Sequence, residues 1–83
     1  MTDHELLDVF TRALQDLLGD ESIVLRMGTT RGEVPNWDSF NYINFIVAIE
    51  AELKIKFRIA DVESFATVGD IVAGAKALLG GRR

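Results

Sequence analysis

Ser39 is the residue of this chain whose type and position are best suited to covalent chemistry. It directly follows Asp38, at the point where a loop turns into a long apolar segment, in the run Asn36-Trp37-Asp38-Ser39-Phe40. Two uses fit such a serine. Serine and aspartate are both favoured N-caps, because their side-chain oxygens accept orphan amide hydrogens of the first helical turn. Capping is the commoner use of an arbitrary Asp-Ser pair at a helix start. The same position also suits a phosphate, since the free N–H groups and the macrodipole of a helix N-terminus favour an anion. A serine in the first turn with its hydroxyl outward can carry a phosphodiester there.

The remaining chemistry-bearing residues make no comparable set. The chain has no cysteine, which excludes a disulfide framework and a thiolate zinc site. One histidine, His4, leaves little for a multi-histidine metal site or a Ser-His dyad, and its place in a first helical turn suggests solvent exposure. Asp38, Glu50 and Glu52 read better as a solvated acidic surface than as an acid–base pair, so no enzyme is expected. The net charge of −4 argues against nucleic acid, which requires a basic stripe. The basic residues are scattered apart from the short group at 54–58.

These residues belong to 83 positions, enough for one small domain over the whole chain, 1–83, and 48% of them are hydrophobic, so a folded core is expected. Residues 1–18 mix charged and apolar types rather than forming a signal peptide. The apolar stretch 45–49 is far too short to cross a bilayer. The expectation is a soluble, cytoplasmic, monomeric domain with no membrane insertion.

The elements that must position Ser39 are legible from periodicity. Leu6, Leu7, Phe10, Leu14, Leu17 and Leu18 recur mostly at three- and four-residue spacings, the stripe of an amphipathic helix over 2–18. Thr2 or Asp3 can cap it and Gly19 can end it. Residues 19–36 hold Gly19, Gly28, Gly32 and Pro35 and read as a long loop, with Ile23, Val24, Leu25 and Met27 available to pin it to the core. A loop of that length in a compact domain is often functional. A second helix is expected over 39–53 and a short one over 59–64. Odd-numbered apolar residues in 54–59 suggest an extended link between them. Thr67 is a plausible N-cap for a last helix whose buried face carries Val68, Ile71, Val72, Ala75, Leu78 and Leu79. Gly80 and Gly81 should stop that helix, leaving Arg82 and Arg83 as a solvated tail. The fold class is all-α, a small four-helix bundle of three main helices and one short one, with the long loop between helices 1 and 2.

The second helix is apolar on two sides. At about 100° per residue, Tyr42, Phe45, Ile46, Ile49 and Leu53 gather on one face. Phe40, Ile43 and Val47 form a second stripe well away from it. A helix apolar on both sides is either fully buried or meets a partner, and the pattern alone leaves both open. The second stripe begins beside Ser39, which favours a partner.

Asp38-Ser39-Phe40 at the head of a helix ending in Ile49-Glu50-Ala51-Glu52-Leu53 resembles the acyl carrier protein family. In that family Asp-Ser-Leu opens the second helix and the serine receives 4′-phosphopantetheine from coenzyme A. The resemblance covers nearly the whole chain, including the order of helices and the Thr67-Val68-Gly69-Asp70-Ile71 start of the fourth. It implies that Ser39 is the covalent attachment site. Asp38 becomes the acidic neighbour read by the phosphopantetheinyl transferase, near its magnesium. Phe40, Ile43 and Val47 become partner-facing positions, with Glu50 and Glu52 in the acidic recognition surface, and Phe45, Ile49 and Leu53 line the core and any acyl cavity. The implied function is to carry acyl or aminoacyl groups as thioesters to loading and transferring enzymes. The alternative is a carrier-like interaction module that is never modified, with Ser39 a cap.

Departures at five positions qualify the resemblance. Phe40 replaces the usual leucine, Asn41 and Asn44 stand where acids are common in fatty-acid synthase carriers, and Lys54 follows at another such place. Trp37 replaces a small residue, and Trp-Asp-Ser resembles stand-alone carriers of polyketide, non-ribosomal peptide and aminoacyl systems. A specialised carrier is therefore implied rather than the main fatty-acid carrier. From its position, Trp37 is expected to pack against the loop and anchor the start of the second helix.

Overall fold

Thr2 starts the first helix through a reciprocal pair of hydrogen bonds. Its hydroxyl accepts from the Glu5 amide at 3.1 Å, and Glu5 Oε1 accepts from the Thr2 amide at 2.8 Å. In the computed structural model, which describes residues 1–80, this helix is α1, Asp3–Leu18. Gly19 closes it in the left-handed region at φ 65°, a conformation that glycine reaches without a Cβ penalty. Then come α2 (Ser39–Leu53), α3 (Ile59–Ser64) and α4 (Val68–Gly80), with a single 3-10 turn at Arg31–Glu33 in the long loop. The fold is all-α, as the periodicity indicates.

Helix α1 packs on α2 and α4. Phe10, Leu6 and Leu14 of α1, Phe45 and Ile49 of α2, and Val68 and Val72 of α4 are the largest fully buried side chains. Phe10 and Phe45 meet edge to face with centroids 5.7 Å apart, the arrangement that aromatic quadrupoles favour. Leu17 lies at the exposed edge of the α1 stripe, while Leu78 and Leu79 on α4 are half-buried. Gly80 still belongs to α4. The expected stop at Gly81 and the tail at Arg82 and Arg83 lie outside the described residues.

The long loop is tied down by both apolar and polar groups. Of the four apolar residues available to pin it, Ile23 and Leu25 are buried, while Val24 and Met27 are exposed. Gln15 donates from Nε2 to the Ile23 carbonyl at 2.8 Å, and Thr11 Oγ1 accepts from the Leu25 amide at 3.1 Å. Further on, the loop caps α4: the Val68 amide donates to the Thr29 carbonyl and the Gly69 amide to the Met27 carbonyl at 2.7 Å. A Cβ at position 69 would stand 2.8 Å from that carbonyl oxygen, so the approach requires glycine. The link between α2 and α3 alternates as expected, with Ile55 and Phe57 buried and Lys56 and Arg58 exposed; no strand forms among the described residues.

Candidate functional site

The N-cap of α2 is Asp38, and Ser39 is the first residue of the helix. Asp38 Oδ1 accepts from the Asn41 amide at 2.9 Å, taking the orphan donor that a capping serine would otherwise satisfy. Ser39 is exposed, and its hydroxyl has no hydrogen-bond partner among the described residues. The two residues thus divide the tasks that a sequence leaves confounded: the aspartate caps and the serine hydroxyl is left in water. Around that hydroxyl lies the positive end of a 15-residue helix with no acid in its first turn.

The turn leading to Ser39 is closed by Asn41. Its Nδ2 donates to the Asn36 carbonyl at 2.8 Å, across the Trp37-Asp38-Ser39 segment. Asn36 holds φ 70°, a left-handed backbone that asparagine tolerates better than most residues. Trp37 is buried, with its ring edge-on to Phe45 at 5.2 Å and tilted against Tyr42 at 6.3 Å. It therefore anchors the start of α2, packing under the helix itself on Tyr42 and Phe45. The indole N–H is buried without a hydrogen-bond partner, so apolar packing alone holds the ring.

The outer face of α2 is apolar and open. Phe40 is 75% exposed, Ile43 51% and Val47 57%, and Ile59 at the start of α3 is 79% exposed. The second stripe is therefore not buried in the bundle. Ala48 and Ala51 are exposed on the same arc and Asn44 is half-buried, so the arc carries no charge. Exposed apolar groups gathered in this way mark interaction surfaces.

Glu50 is placed differently from its expected role on an acidic, partner-facing surface. Its side chain is only 13% exposed. Oε2 accepts from the Phe57 amide at 2.9 Å, and Lys56 Nζ approaches Oε1 at 4.0 Å. A residue on the flank of α2, three positions beyond Val47, thus ties down the end of the link, next to the Arg58 N-cap of α3. Glu52 is exposed but lies on the side of the helix away from Ile43 and Val47. Of the expected core residues, Phe45 and Ile49 are fully buried and Leu53 is half-buried. His4 is exposed and lies 3.6 Å from Asp8 on the next turn of α1; no cluster that could hold a metal occurs among the described residues.

Sequence reasoning missed the Asn41–Asn36 bond and the inward turn of Glu50. The first had a usable signal, since Asn36 follows Pro35 in a loop and asparagine is enriched at positive φ. The second had none, because the donor is a backbone amide seven residues on.

No protein-family model matches the chain. No curated protein sequence matches it significantly. Among solved structures, it is similar to the solution NMR structure of holo acyl carrier protein from Geobacter metallireducens, with a TM-score of 0.82 and 32% sequence identity. The similarity covers 89% of this chain and 85% of that one.

Proposed function

This chain belongs to the acyl carrier protein family, and on that premise we propose that Ser39 is the residue to which 4′-phosphopantetheine is attached. The observation that carries the proposal is the division of labour at the α2 N-terminus. Asp38 takes the capping bond, which leaves the Ser39 hydroxyl exposed and unengaged. Against the rival reading, an unmodified interaction module with Ser39 as a cap, stands the capping bond made by Asp38 instead of Ser39.

In the modification, Ser39 Oγ forms a bond to the phosphorus that bears pantetheine in coenzyme A. The pyrophosphate bond breaks, adenosine 3′,5′-bisphosphate leaves, and the serine proton passes to the transferase or solvent. The free N–H groups and dipole at the start of α2 favour the new phosphodiester charge. Asp38 Oδ2, with no partner among the described residues, is available to the transferase and its magnesium. When bound, the group supplies a terminal thiol on a flexible arm, where an acyl or aminoacyl cargo is held as a thioester. Tethering keeps that cargo at high effective concentration near each partner.

Phe40, Ile43 and Val47 are the surface on which the transferase and the loading and transferring enzymes dock. Because this arc is uncharged and Glu50 is turned inward, its partners meet an apolar rather than an acidic face. That character, with Trp37 close to the serine, supports a carrier of a specialised pathway. The test is intact mass after incubation with a broad-specificity phosphopantetheinyl transferase, coenzyme A and Mg²⁺. The chain should gain one phosphopantetheine, and Ser39→Ala should abolish the gain. A wild-type chain that stays unmodified, or a gain that survives Ser39→Ala, overturns the site assignment.

A further inference from the structure

We infer that Asn41 is a positioning residue for the modification of Ser39, holding the turn that presents the serine through its side-chain bond to the Asn36 carbonyl; this rests on the reading of Ser39 as the attachment site. Residue 41 stands where an acid is common in related carriers, and its polarity alone reads as a missing charge. The geometry gives it a positive task instead. From one residue, two hydrogen bonds reach back over Ser39: the amide to Asp38 Oδ1 at 2.9 Å and Nδ2 to the Asn36 carbonyl at 2.8 Å.

The second bond is the one a carboxylate cannot make. An ionised aspartate only accepts, so at position 41 it faces the Asn36 carbonyl with oxygen against oxygen. Asn36 also needs the support, because its φ of 70° is a conformation that non-glycine residues hold at a cost. Trp37, between the two asparagines, is fixed in the core. With the Asn36 carbonyl, the Trp37 ring and the Asp38 carboxylate all held, Ser39 has one place to stand. Release of the Nδ2 bond frees the first of these three and lets the turn sample conformations that do not aim the hydroxyl outward. The docking face of Phe40, Ile43 and Val47 lies elsewhere on the helix and is unaffected.

The consequence is a kinetic split. Presentation of the serine sets the rate within the docked complex, whereas docking sets KM. One net hydrogen bond corresponds to a population change of roughly threefold to tenfold. Initial rates of phosphopantetheine transfer from coenzyme A, with a broad-specificity transferase and Mg²⁺, are to be measured on the full chain and three variants. For Asn41→Ala and Asn41→Asp, kcat should fall roughly threefold to tenfold while KM stays within about twofold. The double variant Asn36→Gly, Asn41→Ala should recover much of the loss, because glycine reaches positive φ unaided. An unchanged kcat in Asn41→Ala, a faster Asn41→Asp, a change confined to KM, or a double variant no faster than Asn41→Ala each overturns the role of Asn41 alone. Absence of transfer to the wild-type chain overturns the reading of Ser39, and this inference with it.

Discussion

Tyr42 and Val62, twenty residues apart in sequence, are joined by a buried hydrogen bond of 2.6 Å from the phenol to the carbonyl. The bond ties the first turn of α2 to the end of α3. Val62 needs it because α3 stops at Ser64 and the amide of Ala66, its next helical donor in a longer helix, is committed to Asp70 Oδ2. Burial pushes the Tyr42 phenol above its ordinary value, against the smaller opposing pull of the Arg31 guanidinium, which lies 4.6 Å from the ring centre. The hydroxyl therefore stays protonated, and a donor, throughout the neutral range.

Tyr42→Phe removes that donor and keeps the ring. The Val62 carbonyl is then buried without a partner, a loss of about 1–3 kcal/mol. Thermal melts should show a lower Tm, and hydrogen exchange should quicken first in α3, the shortest of the four helices. An unchanged Tm with unchanged α3 exchange would show that this bond does not hold α3 to α2.

Glu50 makes a parallel case on the other flank. Glu50→Ala strands the part-buried Phe57 amide and should cost about 1–3 kcal/mol in urea denaturation. Glu50→Gln keeps an acceptor and should cost less than about 1 kcal/mol relative to the wild type. Lys56→Ala should change stability by less than about 1 kcal/mol, because its approach to Glu50 is long and its own side chain lies in water. If Lys56→Ala proves as costly as Glu50→Ala, the ion pair rather than the amide bond is what Glu50 supplies.

These two bonds also mark the boundary of what the sequence discloses. Helix limits were legible because local rules fix them: Thr2 with Glu5, Gly19, Asp38, and the apolar periods of α1, α2 and α4 all act within a few residues. The second stripe on α2 was legible as a pattern, but its exposure depends on what α1 and α4 leave uncovered. Non-local bonds were not legible. Nothing near Glu50 in sequence announces that its carboxylate meets residue 57, and nothing near Met27 announces that its carbonyl caps α4. The capping choice between Asp38 and Ser39 likewise follows from backbone geometry, since both residue types are competent.

Asp70 is, with Glu5 and Asp20, one of three carboxylates that make the fold acid-sensitive. Its carboxylate accepts from the amides of Ala66 and Thr67, and these bonds hold its pKa below the ordinary value of 3.8. A depressed folded-state pKa stabilises the fold above the unfolded value, and that stabilisation disappears as pH falls through the folded one. Melts of the wild type taken downward from pH 6 should therefore lose stability below pH 4. Asp70→Asn should be less stable than the wild type at pH 6 and converge with it at the acid end. A constant difference at all pH values would show that the charge on Asp70 is not what stabilises the start of α4.

The outer arc of α2 gives the last prediction, which separates docking from folding. Phe40 and Val47 are exposed, so Phe40→Asp and Val47→Asp should leave Tm nearly unchanged. Burying a side chain of this kind against a partner contributes about 1.5–3 kcal/mol, so each substitution should raise the transferase KM about tenfold to hundredfold. An uncharged contact is also insensitive to screening: between about 0.05 and 0.5 M NaCl the wild-type KM should change by less than about twofold. A steep rise of KM with salt would place the docking energy in charged residues elsewhere, Asp38, Glu52 and Lys54 being the exposed charges nearest the arc along the chain. Phe40→Asp with an unchanged KM would remove the arc from the docking surface altogether.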